Sequence, residues 1–266
     1  MKILKKNNFI ESIANALQYI SYYHSEDFIL AMRRAFEVEK SPVAKDAISQ
    51  VLTNSKLSAF NNRPICQDTG IVTVFVKQGM DLKWDSDKTI EEMVNQGVRN
   101  AYLDKGNPLR ASIVKDPISD RLNTKDNSPA VVHISLVPGD NLDISIAAKG
   151  AGSENKASLG MLNPSDSIVD FILDEIPKMG AGWCPPGVLG VGIGGTAEKA
   201  MLMAKESLFE SIDIQEIIQK GPSNVIENLR IELYEKINQL GIGAQGLGGM
   251  TTVLDVKIRD YPTHAA

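Results

Sequence analysis

The chain has 266 residues, 43% of them apolar and 23% charged, with a formal net charge of −5. That is enough apolar material for a real core. The charge has the wrong sign for a nucleic-acid surface, and no apolar run approaches a membrane span. The basic start from Met1 to Lys6 leads into no apolar stretch, so no secretory leader is expected and the cytoplasm is the expected compartment. Two cysteines are too few for a disulfide framework in a chain this long.

The first third reads as helix. Ile10, Ile13, Leu17 and Ile20 recur at helical spacing, a second amphipathic run covers Asp27–Val38, and Pro42 opens a third through Leu52. The character changes at Cys66. Ile71 to Val76 is a β-rich run that begins after Gly70. Thr89–Tyr102 reads as helix, and Asn107 to Pro129 is a loop longer than usual connections. Val131–Leu136 and Asn141–Ala147 are strands flanking Pro138-Gly139-Asp140, which predicts a hairpin. Ser165 is the expected cap of a helix through Glu175. Val188–Ile193 is a short strand, Thr196–Phe209 and Ser223–Leu240 are helices, and Thr251–Ile258 is a last strand. This mixture predicts an α+β (mixed α/β) fold, N-terminal helices followed by a mixed β-sheet with packed helices.

Several residue groups carry candidate chemistry. In Cys66-Gln67-Asp68 a thiol, an amide and a carboxylate stand in a row on the loop feeding a strand. They read either as a metal ligand with a proton-transfer carboxylate beside it, or as a strand-entry turn capped by Asp68. Cys184 precedes Pro185-Pro186-Gly187. Proline after cysteine suits an iron–sulfur ligand, and a rigid turn suits it equally. Gly190-Val191-Gly192-Ile193-Gly194-Gly195 fits a dinucleotide fingerprint, but the acidic residue after a second strand is missing. Lys149–Lys156 offers close backbone approach with Ser153, Asn155 and Lys156 as donors, which suits an anion or a surface turn. Arg110 is a natural carboxylate partner. His24 on a helical face and His133 in a strand read as structural, and His264 alone reads as tail.

Taken together, Arg63–Gly70, Lys149–Lys156, Trp183–Gly187, Gly190–Gly195 and Gly243–Gly249 resemble the class I, iron–sulfur-dependent fumarate hydratases and the alpha subunits of the related tartrate dehydratases. The resemblance implies a single alpha-type hydro-lyase domain over residues 1–266, with 1–62 a helical segment and 63–266 carrying the motifs. It implies a [4Fe-4S] cluster with Cys66 and Cys184 as metal ligands, and reversible dehydration of (S)-malate to fumarate, with tartrate as the alternative substrate. Asp68 is the implied catalytic acid/base. Gln67, Asp68, Arg110, Gly150, Gly152, Ser153, Glu154, Asn155, Lys156 and His264 are the implied contacts to a small dicarboxylate. The family's third cysteine falls beyond the counterpart of His264. The resemblance therefore implies a missing C-terminal beta-type domain or subunit, a homo- or hetero-oligomer, and an inactive chain when alone. A scaffold of the same fold without a cluster is the other class of answer.

Overall fold

The apolar spacing of the first third becomes helix in the computed structural model of the chain, which describes residues 3–265. Met1, Lys2 and Ala266, the ends of the predicted 1–266 domain, lie outside the described residues. The chain divides into two units, one formed by Met1–Tyr23 with Asn54–Ala151 and the other by His24–Thr53 with Gly152–Ala266. Each contains helices and strands, so the α+β class holds. Among the described residues no helix is long and apolar enough to cross a membrane.

In the first unit, β1 (Ile3–Lys5) leads into α1 (Lys6–Tyr22), and the last turns of α3 (Pro42–Asn61) lead to β2 (Ile71–Gly79). Then come β3 (Lys83–Asp85), α4 (Ile90–Tyr102), β4 (Val131–Val137) and β5 (Leu142–Lys149). Thr89 starts α4 with a full capping box: its side chain accepts from the Glu92 amide while Glu92 reaches back to the Thr89 amide. Helices α1 and α4 bury Ile13, Leu17, Met93 and Val98 against Val72, Val74 and Val76 of β2, the alternate residues of one sheet face.

The predicted hairpin does not form. The strand order is β4-β2-β5, with β4 parallel and β5 antiparallel to β2. The Pro138–Asn141 turn instead crosses the end of β2. Gly79, Met80 and Asp81 donate their amides to Asn141, Val137 and Gly139 at 2.8, 2.9 and 2.9 Å. The turn is present as its residues predict, but the amides it satisfies come from the last residue of β2 and the two residues after it.

The second unit contains α2 (Glu26–Val38), the start of α3, α6 (Ile168–Met179), β6 (Gly187–Gly194), α7 (Ala197–Ser207), α8 (Ile214–Lys220), α9 (Val225–Gln239) and β7 (Val253–Tyr261). A short α5 (Ala151–Glu154) runs into it. Strands β6 and β7 pair in parallel. One apolar cluster joins Ile172 and Ile176 of α6, Leu233 and Ile237 of α9, and Val256 and Ile258 of β7. Another joins Met32, Ala35, Ala44 and Ile48 to Leu254. The cap of α6 is Ser167, not Ser165: Ser167 accepts from the Asp170 amide at 3.1 Å. The residues just before it are committed to a separate turn, in which Asp166 takes the Asn163 amide at 2.7 Å.

The glycine run at Gly190 is also explained here. A side chain on Gly190 or Gly192 would stand 2.1 Å from the Ala204 carbonyl oxygen or 2.0 Å from that of Ala200. These glycines let α7 lie directly on β6. The run is strand, from Gly187 to Gly194, and not a phosphate loop.

Two charged side chains of β7 are fully buried: Asp255 and Lys257. Lys257 pairs with Asp255 at 2.9 Å and Asp213 at 2.5 Å, and donates to the Ser211 carbonyl. Arg230 of α9 pairs with Asp255 at 3.0 Å and with Asp213, and its Nε donates to the Val256 carbonyl at 2.7 Å. Asp255 also accepts the Asp213 and Ile214 amides at 2.9 and 3.2 Å. His24 lies in the turn between α1 and α2 rather than on a helix. It stacks on Phe28 at 4.4 Å, and burial pulls its pKa below the ordinary value. His133 stands in β4 stacked on Phe75 at 4.9 Å.

Candidate active site

The loop from Cys66 to Gly70 links α3 to β2 and is anchored at both ends. Before it, the Ile65 amide donates to Ser21 at 2.8 Å and Asn54 donates to the Ile65 carbonyl at 2.8 Å. Within it, the Cys66 sulfur accepts the Asp68 amide at 3.4 Å, and the thiol faces the Gln67 side-chain oxygen at 3.4 Å. After it, Gly70 has φ +76, and a side chain there would stand 2.6 Å from the Lys149 backbone. Only glycine permits that close approach to β5.

Asp68 is held at both carboxylate oxygens. One accepts the Gly70 amide at 3.0 Å and the other the Ala151 amide at 2.7 Å. Two backbone donors fix its orientation without a cation, leaving free lone pairs on each oxygen. Gly150 keeps this clear, since a side chain there would stand 2.9 Å from the Asp68 oxygen.

Asp68, Gln67 and Arg110 line one open pocket of about 360 Å³, completed by Ala111, Ser112 and Asn123. The loop bearing Asp68 and the segment bearing Arg110 are stitched together. The Thr69 hydroxyl donates to the Arg110 carbonyl. Asn127 donates to the Gly70 carbonyl at 3.1 Å and accepts the Ser112 amide at 2.6 Å. Tyr102 donates to the Thr69 carbonyl at 2.9 Å, and burial pushes its pKa up to about 12, so it stays a donor. Sequence patterns give Tyr102, Asn123 and Asn127 no role, and Thr69 only a place in the Arg63–Gly70 motif. Their partners lie far along the chain, and no local pattern announces them. A larger pocket, about 430 Å³, lies in the same unit among Tyr19, Tyr22, Tyr23, Arg63 and Asn107, and none of the predicted site residues lines it.

The second unit holds the remaining predicted residues. The Gly152–Lys156 segment lies on the turn that ends in Cys184. A side chain on Gly152 would stand 2.3 Å from the Gly182 carbonyl oxygen, and one on Gly182 would stand 3.2 Å from the Lys156 chain. Cys184 has φ +58 and donates its amide to Ala181 at 2.9 Å. Behind it, the Pro185 carbonyl accepts the Gln245 amide and side chain at 2.6 and 3.0 Å. Ser153 and Lys156 are half-buried, and Asn155 is exposed. Glu154 is ion-paired with Lys205 of α7 at 2.5 Å. His264 is exposed in the segment after β7, where Thr263 donates to the Gly195 carbonyl at 3.1 Å.

Cys66 and Cys184 are both free and exposed. Free exposed thiols on loops are suited to soft metal ions or clusters. Each thiol by itself has the donor chemistry of an iron–sulfur ligand, and the 266 residues contain no third cysteine.

A family model described as "Fumarate hydratase (Fumerase)" matches residues 10–266. A Methanocaldococcus jannaschii protein named "Putative L(+)-tartrate dehydratase subunit alpha" is 38% identical over 251 residues, covering 92% of this chain and 85% of its own. The L(+)-tartrate dehydratase subunit alpha of Escherichia coli O157:H7 is 28% identical over 263 residues, covering 97% of this chain and 84% of its own. That of Shigella sonnei is 27% identical over the same shares.

Proposed function

We propose, from the premise that the chain belongs to the fumarate hydratase family, that it is the alpha-type part of an iron–sulfur hydro-lyase acting on a four-carbon 2-hydroxydicarboxylate. The observation that carries this reading is Asp68, held by two backbone amides in a pocket that it shares with Arg110 and Gln67. A fixed carboxylate next to a guanidinium is what removal of a proton beside a bound carboxylate requires.

In this reading Arg110 grips one substrate carboxylate through its fork of donors, and the Gln67 amide orients the polar groups next to it. Asp68 takes the proton from the carbon neighbouring the hydroxyl-bearing carbon during dehydration, and returns it during hydration. Ser153, Asn155 and Lys156 with the backbone of Gly150 and Gly152 supply donors to the anion. Glu154 acts through Lys205 to hold that segment on α7. His264 is a further substrate donor. Cys66 and Cys184 each supply one thiolate to a [4Fe-4S] cluster. A cluster held there would supply Lewis-acid help to loss of the hydroxyl. The matching relatives are named as alpha subunits, so we assign this chain a beta-type partner that completes the site. Two free thiols suit a reducing compartment such as the cytoplasm.

The description of the family model favours malate and fumarate. The relatives' names favour L(+)-tartrate as a second reading. The test is the anaerobically purified protein, produced with its beta-type partner and supplied with iron and sulfide. Formation of fumarate from (S)-malate supports the first reading, and oxaloacetate from L(+)-tartrate the second. A brown, cluster-loaded complex that dehydrates neither would refute the function proposed.

A further inference from the structure

Asn127 is among the most deeply buried polar residues of the chain, at 0% exposure, and it lies near the end of the long loop that carries Arg110. Its φ of 60 puts it in the left-handed region, which asparagine tolerates better than most side chains. Both ends of its carboxamide are used. The nitrogen donates to the Gly70 carbonyl at 3.1 Å, and the oxygen accepts the Ser112 amide at 2.6 Å. Gly70 is also the residue whose amide holds Asp68, and Ser112 lies two residues after Arg110. A single amide therefore ties the support of the proton-transfer carboxylate to the segment that carries the cation.

We infer that Asn127 is a positioning residue that sets the spacing of Asp68 and Arg110, and with it the alignment of a bound hydroxydicarboxylate to the carboxylate that takes its proton. This rests on the function proposed above. The physical argument is one of redundancy. The Thr69 hydroxyl, which donates to the Arg110 carbonyl, and Tyr102, which donates to the Thr69 carbonyl and accepts the Leu109 amide, also tie the two segments, but neither bonds Gly70 or Ser112. The Asn127 bridge fixes the remaining point, the one between the residue whose amide holds Asp68 and the chain just after Arg110. Arg110 needs only charge and reach to hold a carboxylate. Proton transfer needs the acceptor oxygen within hydrogen-bond distance of one particular carbon-bound proton. Loss of the bridge should thus harm the chemical step more than binding.

The test uses three variants of the cluster-loaded protein with its partner. Asn127→Gly tolerates the left-handed backbone and removes the bridge. Asn127→Asp keeps the acceptor for Ser112 but sets an oxygen against the Gly70 carbonyl, so either variant can carry the test if the other fails to fold. Asn95→Ala is the structural control. It removes the acceptor that holds the Ala130 amide at 2.8 Å, in the same loop but away from the pocket. The expected result is a loss of about 10–100-fold in kcat for the folded Asn127 variants, the scale of a misplacement near 1 Å. KM should stay within about threefold. Asn95→Ala should lower Tm and keep wild-type kcat. An Asn127 variant that folds with unchanged kcat, or a kcat loss in Asn95→Ala as large as that in Asn127→Gly, would overturn the inference. A wild-type protein that dehydrates neither malate nor tartrate speaks instead against the function proposed.

Discussion

Replacing Asp255 with leucine tests whether the buried charges of the second unit hold its helices to β7. The carboxylate is 0% exposed and serves four donors: Lys257, Arg230, and the amides of Asp213 and Ile214. Its removal leaves two buried cations with Asp213 as their one remaining acid, and two amides at the start of α8 without their acceptor. Breaking a buried ion pair from one side costs about 3–5 kcal/mol. Leucine keeps the branched shape and leaves no cavity, and its bulkier methyls can only add an overpacking cost to this loss. Against a total of roughly 5–15 kcal/mol, about 4 kcal/mol is a large share. With a denaturant slope near 3 kcal/mol per molar, the urea midpoint should fall by about 1.3 M. The second arm is the double variant Asp255→Leu with Lys257→Met. It removes the stranded lysine, so it should be more stable than Asp255→Leu alone, with a coupling of about 0.5–3 kcal/mol. Far-ultraviolet circular dichroism during urea titration reads both. A midpoint that barely moves in the single variant, or a double variant weaker than the sum of the singles, would show that the charges do not act as a unit.

Asp68→Asn should lower turnover by about 10²–10⁴, the usual worth of a positioned acid/base, while the visible absorption of the cluster is kept; equal turnover would remove Asp68 from the reaction. Gly192→Ala should destabilise the second unit by about 1–3 kcal/mol, since the new methyl meets the α7 backbone, and an unchanged Tm would show that strand and helix can separate freely. In acid, stability should fall as two carboxylates protonate. Burial opposes the charge of Asp213, but Arg230 and Lys257 outweigh it and hold its pKa below the ordinary 3.8. Burial likewise opposes Glu39, and the amides of Ser41, Met250 and Lys40 hold it below 4.5. Both folded values are depressed, so their contribution is complete above the ordinary values and is lost as pH falls below them through the folded ones. Urea midpoints of Asp213→Asn should therefore depend less on pH below about 4 than those of the wild type, and parallel profiles would count against this.

The elements legible in the sequence were those whose signal is local. The apolar spacing of α1 and the helical run of Thr89–Tyr102 need no distant partner, and both are helix in the structure. The hairpin failed for the opposite reason. Pro138-Gly139 marks a turn, but the amides that its carbonyls accept come from the end of β2, made some sixty residues earlier. The Gly190 run shows a third case. Nearby glycines serve a phosphate loop or a tight helix–strand contact equally well, and only Ala200 and Ala204 decide between them. At the candidate site, Gln67, Asp68 and Arg110 were marked and line one pocket. The residues that stitch that pocket together were not, because Asn127 acts 57 positions from Gly70.

The core of the second unit places Met32 and Ile48 against Leu254. Their covering strand is made more than two hundred residues after those helices. During synthesis on the ribosome, the oily sides of α2 and α3 must therefore wait for β7 before they can be sheltered. Such distant closure is slow, and the waiting surface is a natural client for chaperones and a hazard for aggregation.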